Sequence, residues 1–487
     1  MDYRKFCKTL GLLTGVSAIF LTGCSVNPAT GQNQFAGLMS PQSEASIGAE
    51  QHQQVIKEYG GIYNNPALQS YVTSIGQKLA RNTERADVSY QFFLLDSPVV
   101  NAFALPGGYV YVTRGLMAVA NDEAEFAGVV GHEIGHVTGR HSAARYSQGV
   151  LASLGSGLLG AAIGNSAISE VLNTGSNLYI SSYSRDQESE ADTLGIRYLD
   201  RAGYDPLAVS DFLAAMDQYQ SFQSGASPED RQAVNFFSTH PQTGSRVTAA
   251  AQGALQYQGG GQKLRNADAY LSAINGMTFG DSPEQGYVRG RNFYHPKMGF
   301  TFSVPDGFKI DNQPSKIVAR GSNGSIIIVD ASAAPTSDAG TYIQQYWLKG
   351  EKPVQPERIT INGRQAATAS FAGTVNGTQA TIRLVAIPWS DNKMFRIQFA
   401  IPNGTPSNVV EAMKETTYSF RNLSSSETAS LRPQRIAIVT ASAGDTVATL
   451  AGRMKVDRDA AAYFRALNNL NLNEGVMPGR KYKIIVE

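Results

Sequence analysis

NDEAEFAGVVGHEIGHVTGRHSAARY, residues 121–146, is the stretch from which the rest of this chain can be read. Asn121 suits a helix N-cap, and Asp122, Glu123 and Glu125 put negative charge where the helix dipole favours it. Phe126, Val130, Ile134 and Val137 recur at helical spacing and predict a core-facing stripe. His132 and His136, four apart, fall on a different face, one turn above the other. With Glu133 between them they spell His-Glu-x-x-His: two imidazoles for one zinc ion and a carboxylate to activate water. Gly128, Gly131, Gly135 and Gly139 form a bare strip beside the histidines. Each costs a helix about 1 kcal/mol against alanine, so close packing of a second helix is expected to offset them.

A second helical pattern supplies that partner. Residues 184–192 read SRDQESEAD, and Glu188 and Asp192, at i and i+4, face one way. One carboxylate can bind zinc while the other hydrogen-bonds a ligand histidine. Taken singly, the first pattern is also that of a core histidine pair and the second that of a solvated helix start. Taken together they point to a metal centre.

These motifs, with NAFALPGG at 101–108 and THP at 239–241, resemble the HtpX/BepA-like zinc metallopeptidases, gluzincins related to the CAAX prenyl proteases, over roughly residues 27–281. The resemblance implies one Zn2+ per chain, held by His132, His136 and Glu188, with Glu133 as general base and Asp192 as a supporting residue. It gives His240, with Arg246 six residues on, one of two roles: hydrogen-bonding the oxyanion or closing the zinc site as a fourth ligand. By itself the 101–108 stretch is a strand, a turn and another strand. By resemblance Ala102, Phe103 and Ala104 belong to an active-site edge strand on which an extended peptide pairs. His52, His141 and His295 have no comparable context and read as structural or surface residues.

Upstream, Arg4, Lys5 and Lys8 precede a short apolar core, residues 10–21, too short for a typical spanning helix. Leu21-Thr22-Gly23-Cys24 resembles a bacterial lipobox, implying cleavage before Cys24 and its lipidation. The other cysteine, Cys7, lies in the removed segment, so no disulfide is expected. Ser25 after the cysteine implies outer-membrane sorting, on the periplasmic face. Net charge is +1 and charged residues make up 17% of the 487, with no basic run, which argues against nucleic acid.

The predicted fold class is multidomain α+β. A signal peptide (1–23) and a tether (24–40) precede a mainly helical zincin-type peptidase domain with a small sheet (41–283). Within it, the Gly-, Ala- and Ser-rich residues 149–172 read as a helical hairpin or lid. An α+β domain with a mostly antiparallel sheet, faintly similar to PsbP-like folds, covers 284–422. A linker (423–433) leads to a βααβ module that resembles LysM (434–487), for which peptidoglycan binding and a purely structural cap stay open. The expected function is a zinc endopeptidase anchored to the outer membrane and cutting unfolded or misassembled polypeptides. The alternative is a chaperone-like or peptidoglycan-binding scaffold with a normally closed zinc site.

Overall fold

The computed structural model describes residues 24–155, 182–225, 236–241, 244–257, 263–390, 392–456 and 459–487. The expected signal segment and most of the 149–172 stretch lie outside them. By its internal contacts the chain divides into two compact units. One runs to Gly225, continues to Met277 and resumes over Arg435–Val486; the other is mainly Thr278–Gln434.

The first unit opens with a hairpin, β1 (Cys24–Val26) against β2 (Asn33–Phe35). The segment expected as a free tether is therefore docked: Asn27, Ala36 and Met39 are buried, and the Asn27 amide reaches Glu190. Helix α1 (Pro41–Glu58) starts where the Ser40 hydroxyl accepts the Ser43 N–H and proline takes the first turn. Helix α2 (Pro66–Ala80) repeats the device with Asn65. Strands β3 (Gln91–Leu95), β4 (Ala102–Leu105) and β5 (Tyr109–Thr113) form a sheet of order β3-β5-β4, with β3 parallel and β4 antiparallel to β5. A short helix, α3 (Arg114–Val119), then leads to α4 (Glu123–Thr138).

The α4 cap is Asp122, one residue later than expected, because its carboxylate accepts the Glu125 N–H. Asn121 instead gives its backbone N–H to the Glu125 carboxylate. Every residue of α4 is buried, so the helix is enclosed on all sides and not only along its apolar stripe. The remaining helices around it are α5 (His141–Gly155), α6 (Arg185–Arg201), α7 (Ala208–Gly225), α8 (Phe236–Thr239), α9 (Gly244–Leu255) and α10 (Ala267–Ile274). Helix α6 begins with a capping box between Ser184 and Gln187 and ends before Gly203, whose φ of 80° suits a residue without Cβ.

The C-terminal stretch keeps the expected βααβ order. Strand Gln434–Thr440 pairs antiparallel with Lys481–Val486, and helices Val447–Ala451 and Ala460–Leu467 lie between them in sequence. This stretch packs within the first unit. Tyr463 lies against Tyr219 and Phe222 of α7, and the Gln218 amide donates to Leu470 O.

The second unit is antiparallel throughout its described sheets. Its strands are β6 (Tyr287–Arg289), β7 (Asn292–His295), β8 (Phe300–Ser303), β9 (Lys309–Gln313), β10 (Lys316–Arg320) and β11 (Ile326–Ala333). They are followed by β12 (Glu357–Ile361), β13 (Arg364–Val375), β14 (Thr378–Ser390), β15 (Lys393–Pro402) and β16 (Arg421–Asn422). One sheet has the order β9-β10-β11-β15-β14-β13-β12 and the other β16-β8-β7-β6. Phe293, Phe300 and Phe302 of the smaller sheet share a core with Ile327, Ile397 and Phe399 of the larger one, closed by Met413 of helix α11 (Ser407–Ser419). The stretch expected as a linker carries a short helix, Ser425–Ser430, because Ser424 and Glu427 form a capping box.

Candidate metal centre

Helix α4 presents His132 and His136 on one face, and α6 crosses it where neither helix has bulk. A Cβ on Gly131 would lie 3.3 Å from Gly195 Cα, and one on Gly135 would lie 3.1 Å from Ala191 O. This approach is what lets α6 bring Glu188 to the histidines. His132, His136, Glu188 and His240 each offer an atom within 4.8 Å of the others, and all four are buried. His132 Nε2 and His136 Nε2 are 3.0 Å apart, and Glu188 stands 3.5 Å from each.

The arrangement fits a divalent cation. Three imidazoles and one carboxylate converge in a buried site, the donor set that zinc takes at four positions. Burial alone would raise the Glu188 carboxyl, yet His240, His132 and His136 hold it far below the ordinary carboxylate range. Burial pulls His136 well below its usual value, which favours the neutral ring that a metal requires. For His132 burial also lowers basicity, but Asp192 and Glu188 outweigh it and push the ring up to about 10.

Asp192, four residues after Glu188, faces His132. Its Oδ1 lies 2.9 Å from His132 Nδ1, on the far side of the ring from the cluster. Arg246, on α9, grips both Asp192 oxygens at 2.8 Å and lies 2.9 Å from Glu188 Oε2. Glu133 is fully enclosed, and neither of its oxygens accepts a hydrogen bond. His240 Nε2 lies 3.3 Å from its Oε1. Burial raises the Glu133 carboxyl above its ordinary value, His240 and His132 opposing.

His240 follows the single turn of α8 and points into the cluster. Its Nδ1 is 3.1 Å from Glu188 Oε1 and 3.2 Å from His132 Nε2. Ala102, Phe103 and Ala104 lie on β4, which pairs only with β5 among the described strands. All three residues are buried. Beside this strand is a crevice of about 10 Å³, lined by Ala104, Leu105, His136, Arg140 and Tyr183 among others. That is room for about one water molecule. Of the other histidines, His52 bonds Tyr111 and packs on Phe93, and His295 is buried in the second unit, both structural as expected.

Two contributors escaped the sequence. His141 is not at the surface: it is buried and its Nδ1 lies 2.8 Å from His136 Nδ1. Arg140, between Gly139 and His141, adopts φ 56°, and this left-handed turn swings His141 back beneath the helix. A spacing rule for regular helix cannot foresee a contact made through that turn. The His136 ring also lies parallel to Tyr183, with centroids 3.7 Å apart. Tyr183 directly precedes the Ser184 cap, and its only sequence signal was that position.

Comparison with known proteins agrees with this geometry. Residues 66–253 match the model of Peptidase family M48. The chain is 32% identical to the beta-barrel assembly-enhancing protease of Escherichia coli K12 over 204 residues, 40% of each chain. It is 29% identical to metalloprotease LoiP of the same organism over 192 residues, 37% of this chain and 70% of that one. The mitochondrial metalloendopeptidase OMA1 of Schizosaccharomyces pombe is 26% identical over 242 residues, covering 48% and 68%. The match thus spans less than half the length of the assembly-enhancing proteases. The family match covers both ligand helices, His240 and Arg246, so this part of the chain is a zinc-dependent metallopeptidase domain of Peptidase family M48.

Proposed function

We propose that the chain is a zinc endopeptidase that cuts unfolded or misassembled exported polypeptides, held in a closed resting state by His240. The observation that carries the proposal is Glu133: a buried carboxylate with no hydrogen-bond donor beside a converging His-His-Glu-His set. A purely structural zinc site has no need of such a group. His132, His136 and Glu188 would hold the ion, with Asp192 and Arg246 fixing His132 and Glu188. Zinc there supplies Lewis acidity towards a peptide carbonyl and makes water more acidic.

Glu133 Oε1 or Oε2 takes the proton from the attacking water and returns it to the leaving amine, a role suited by a carboxyl that burial raises above its ordinary value. Strand β4 offers backbone groups of Ala102, Phe103 and Ala104 to an extended substrate, which pairs as an added strand. Unfolded segments satisfy that requirement, because their backbone groups are free to pair along an extended stretch. His240 sits where an incoming ligand would need to be, and the crevice beside β4 is too narrow for a peptide. Opening requires His240 and its loop to withdraw.

The relatives named for β-barrel assembly support substrates among outer-membrane proteins in transit. Cys24 is exposed, which suits lipidation and anchoring on the periplasmic face of the outer membrane. Among the described residues no helix is long and apolar enough to cross a membrane. For the middle unit and the C-terminal βααβ stretch, PsbP-like and LysM-like roles, the latter with peptidoglycan as ligand, remain proposals resting on element order.

Metal analysis paired with digestion of an unfolded protein tests the central reading. Wild type should carry about one zinc per chain and cleave; Glu133→Gln should keep the metal and lose cleavage. Equal cleavage by both would sink the assigned mechanism.

A further inference from the structure

His136 uses its two ring nitrogens in opposite directions. Nε2 faces the cluster, 3.0 Å from His132 Nε2 and 3.5 Å from Glu188 Oε1. Nδ1 faces away, 2.8 Å from His141 Nδ1, and two ring nitrogens at that distance must share one hydrogen. An imidazole that turns its Nε2 lone pair to a cation carries its hydrogen on Nδ1. His136 therefore donates, His141 accepts, and the hydrogen of His141 is left on its Nε2. That nitrogen is 3.3 Å from Glu190 Oε1, an ion-pair approach in which it makes no aligned hydrogen bond, and the same oxygen receives the Asn27 amide at 2.5 Å.

We propose that His141 and Glu190 are positioning residues for the zinc ligand His136, the inner links of a chain His136–His141–Glu190–Asn27. The two ligand histidines are then supported separately: His132 by Asp192 and Arg246, His136 by His141 and Glu190. The backbone is shaped for this second support. A Cβ on Gly139 would lie 2.5 Å from His141 Nε2 and 2.9 Å from Glu190 Oε1, so a larger residue would wedge the pair apart. Arg140 holds a left-handed φ that non-glycine residues rarely adopt, and its guanidinium is fixed by Glu44 and by Met39 O. His141 is itself buried, which leaves its ring no freedom to turn away. The last link, Asn27, sits in the turn of the β1–β2 hairpin, so the N-terminal segment ends against the metal centre's support.

This inference rests on the zinc reading above, and the test separates the two. Zinc affinity is measured by chelator competition on the full chain, alongside the thermal midpoint of the metal-free protein and the visible spectrum of the cobalt(II) form. His141→Leu keeps bulk but removes both nitrogens; it should weaken zinc binding about 10- to 100-fold, shift the cobalt spectrum and leave the metal-free midpoint near wild type. His141→Gln can still accept from His136 and donate to Glu190, and should restore affinity to within about threefold. Equal affinity of wild type and His141→Leu overturns the proposal, as does His141→Gln behaving like His141→Leu. If His141→Leu does not fold, Glu190→Ala decides, since the Glu190 side chain is 25% exposed and leaves no cavity. About five- to tenfold weaker zinc supports the chain, and unchanged affinity overturns it. Absence of zinc from wild type would instead bring down the metallopeptidase reading itself.

Discussion

His240 leaves α8 with its N–H bonded to Phe236 O at 2.7 Å and its ring stacked on Phe236. It follows a helix of four residues, while His132, His136 and Glu188 stand on helices of 16 and 17 residues. A ligand on so slight a support can be withdrawn without disturbing the other three. His240→Ala is accordingly expected to raise basal cleavage of an unfolded protein about tenfold or more, with one zinc still bound. A roughly hundredfold fall in turnover at full zinc occupancy would instead assign His240 to the oxyanion. The histidine pair was legible from its i, i+4 spacing, and the same spacing marked Glu188 and Asp192 without saying which faces the cluster; resemblance alone singled out Glu188. His240 was legible only through resemblance, and His141 not at all, because the left-handed Arg140 breaks the helical register between it and His136.

At the scale of elements, the glycines of α4 divide by what they face. Those at 131 and 135 meet backbone of α6, and Gly195 answers from the other side, where a Cβ would lie 3.1 Å from His132 N. Gly128 meets Val209 of α7. The close crossing was readable as a bare strip, whereas the burial of α4 on every side was not, since its partners come from distant segments. Replacing Gly135 by alanine gains about 1 kcal/mol of helix propensity but presses Cβ against Ala191 and Leu194. Backbone of a packed helix yields poorly, and overpacking costs about 1–3 kcal/mol, so Gly135→Ala should be net destabilising. It should also weaken zinc binding by moving Glu188 away from the histidines. The control is Gly149→Ala at an exposed position of α5, where a Cβ meets nothing within 4 Å and stability should rise by about 1 kcal/mol. Chemical denaturation of both variants checks the contrast; equal shifts would show that α4 and α6 are not held by contact at Gly135.

For the whole molecule the decisive side chain is Lys483, near the C-terminus and fully buried. Its ammonium donates to the carbonyls of Ala118, Val119 and Ala120, at 2.8, 3.0 and 2.8 Å. These groups end α3 and lack helical partners, and three acceptors match the three N–H of a charged amine. The contacts join positions 363–365 residues apart, a separation that no local pattern encodes. Element order in the C-terminal stretch could be read, but its place against the approach to the zinc helix could not. Lys483→Met fills similar space yet strands the three carbonyls. Relief of a buried charge offsets part of the loss, and the expected net cost to the first unit is about 2–4 kcal/mol. Burial holds the Lys483 ammonium below its usual value, with Glu125 and Asp122 opposing. The folded state therefore binds this proton less tightly than the unfolded state does. Its ionisation opposes folding at lower pH, and that opposition fades as pH rises from the lowered folded value towards 10.5. Denaturation of wild type should show this gain in stability with pH, and Lys483→Met should lose it while the transition of the second unit stays put. An unchanged first transition in Lys483→Met would mean that the C-terminal stretch does not brace the helix carrying His132 and His136.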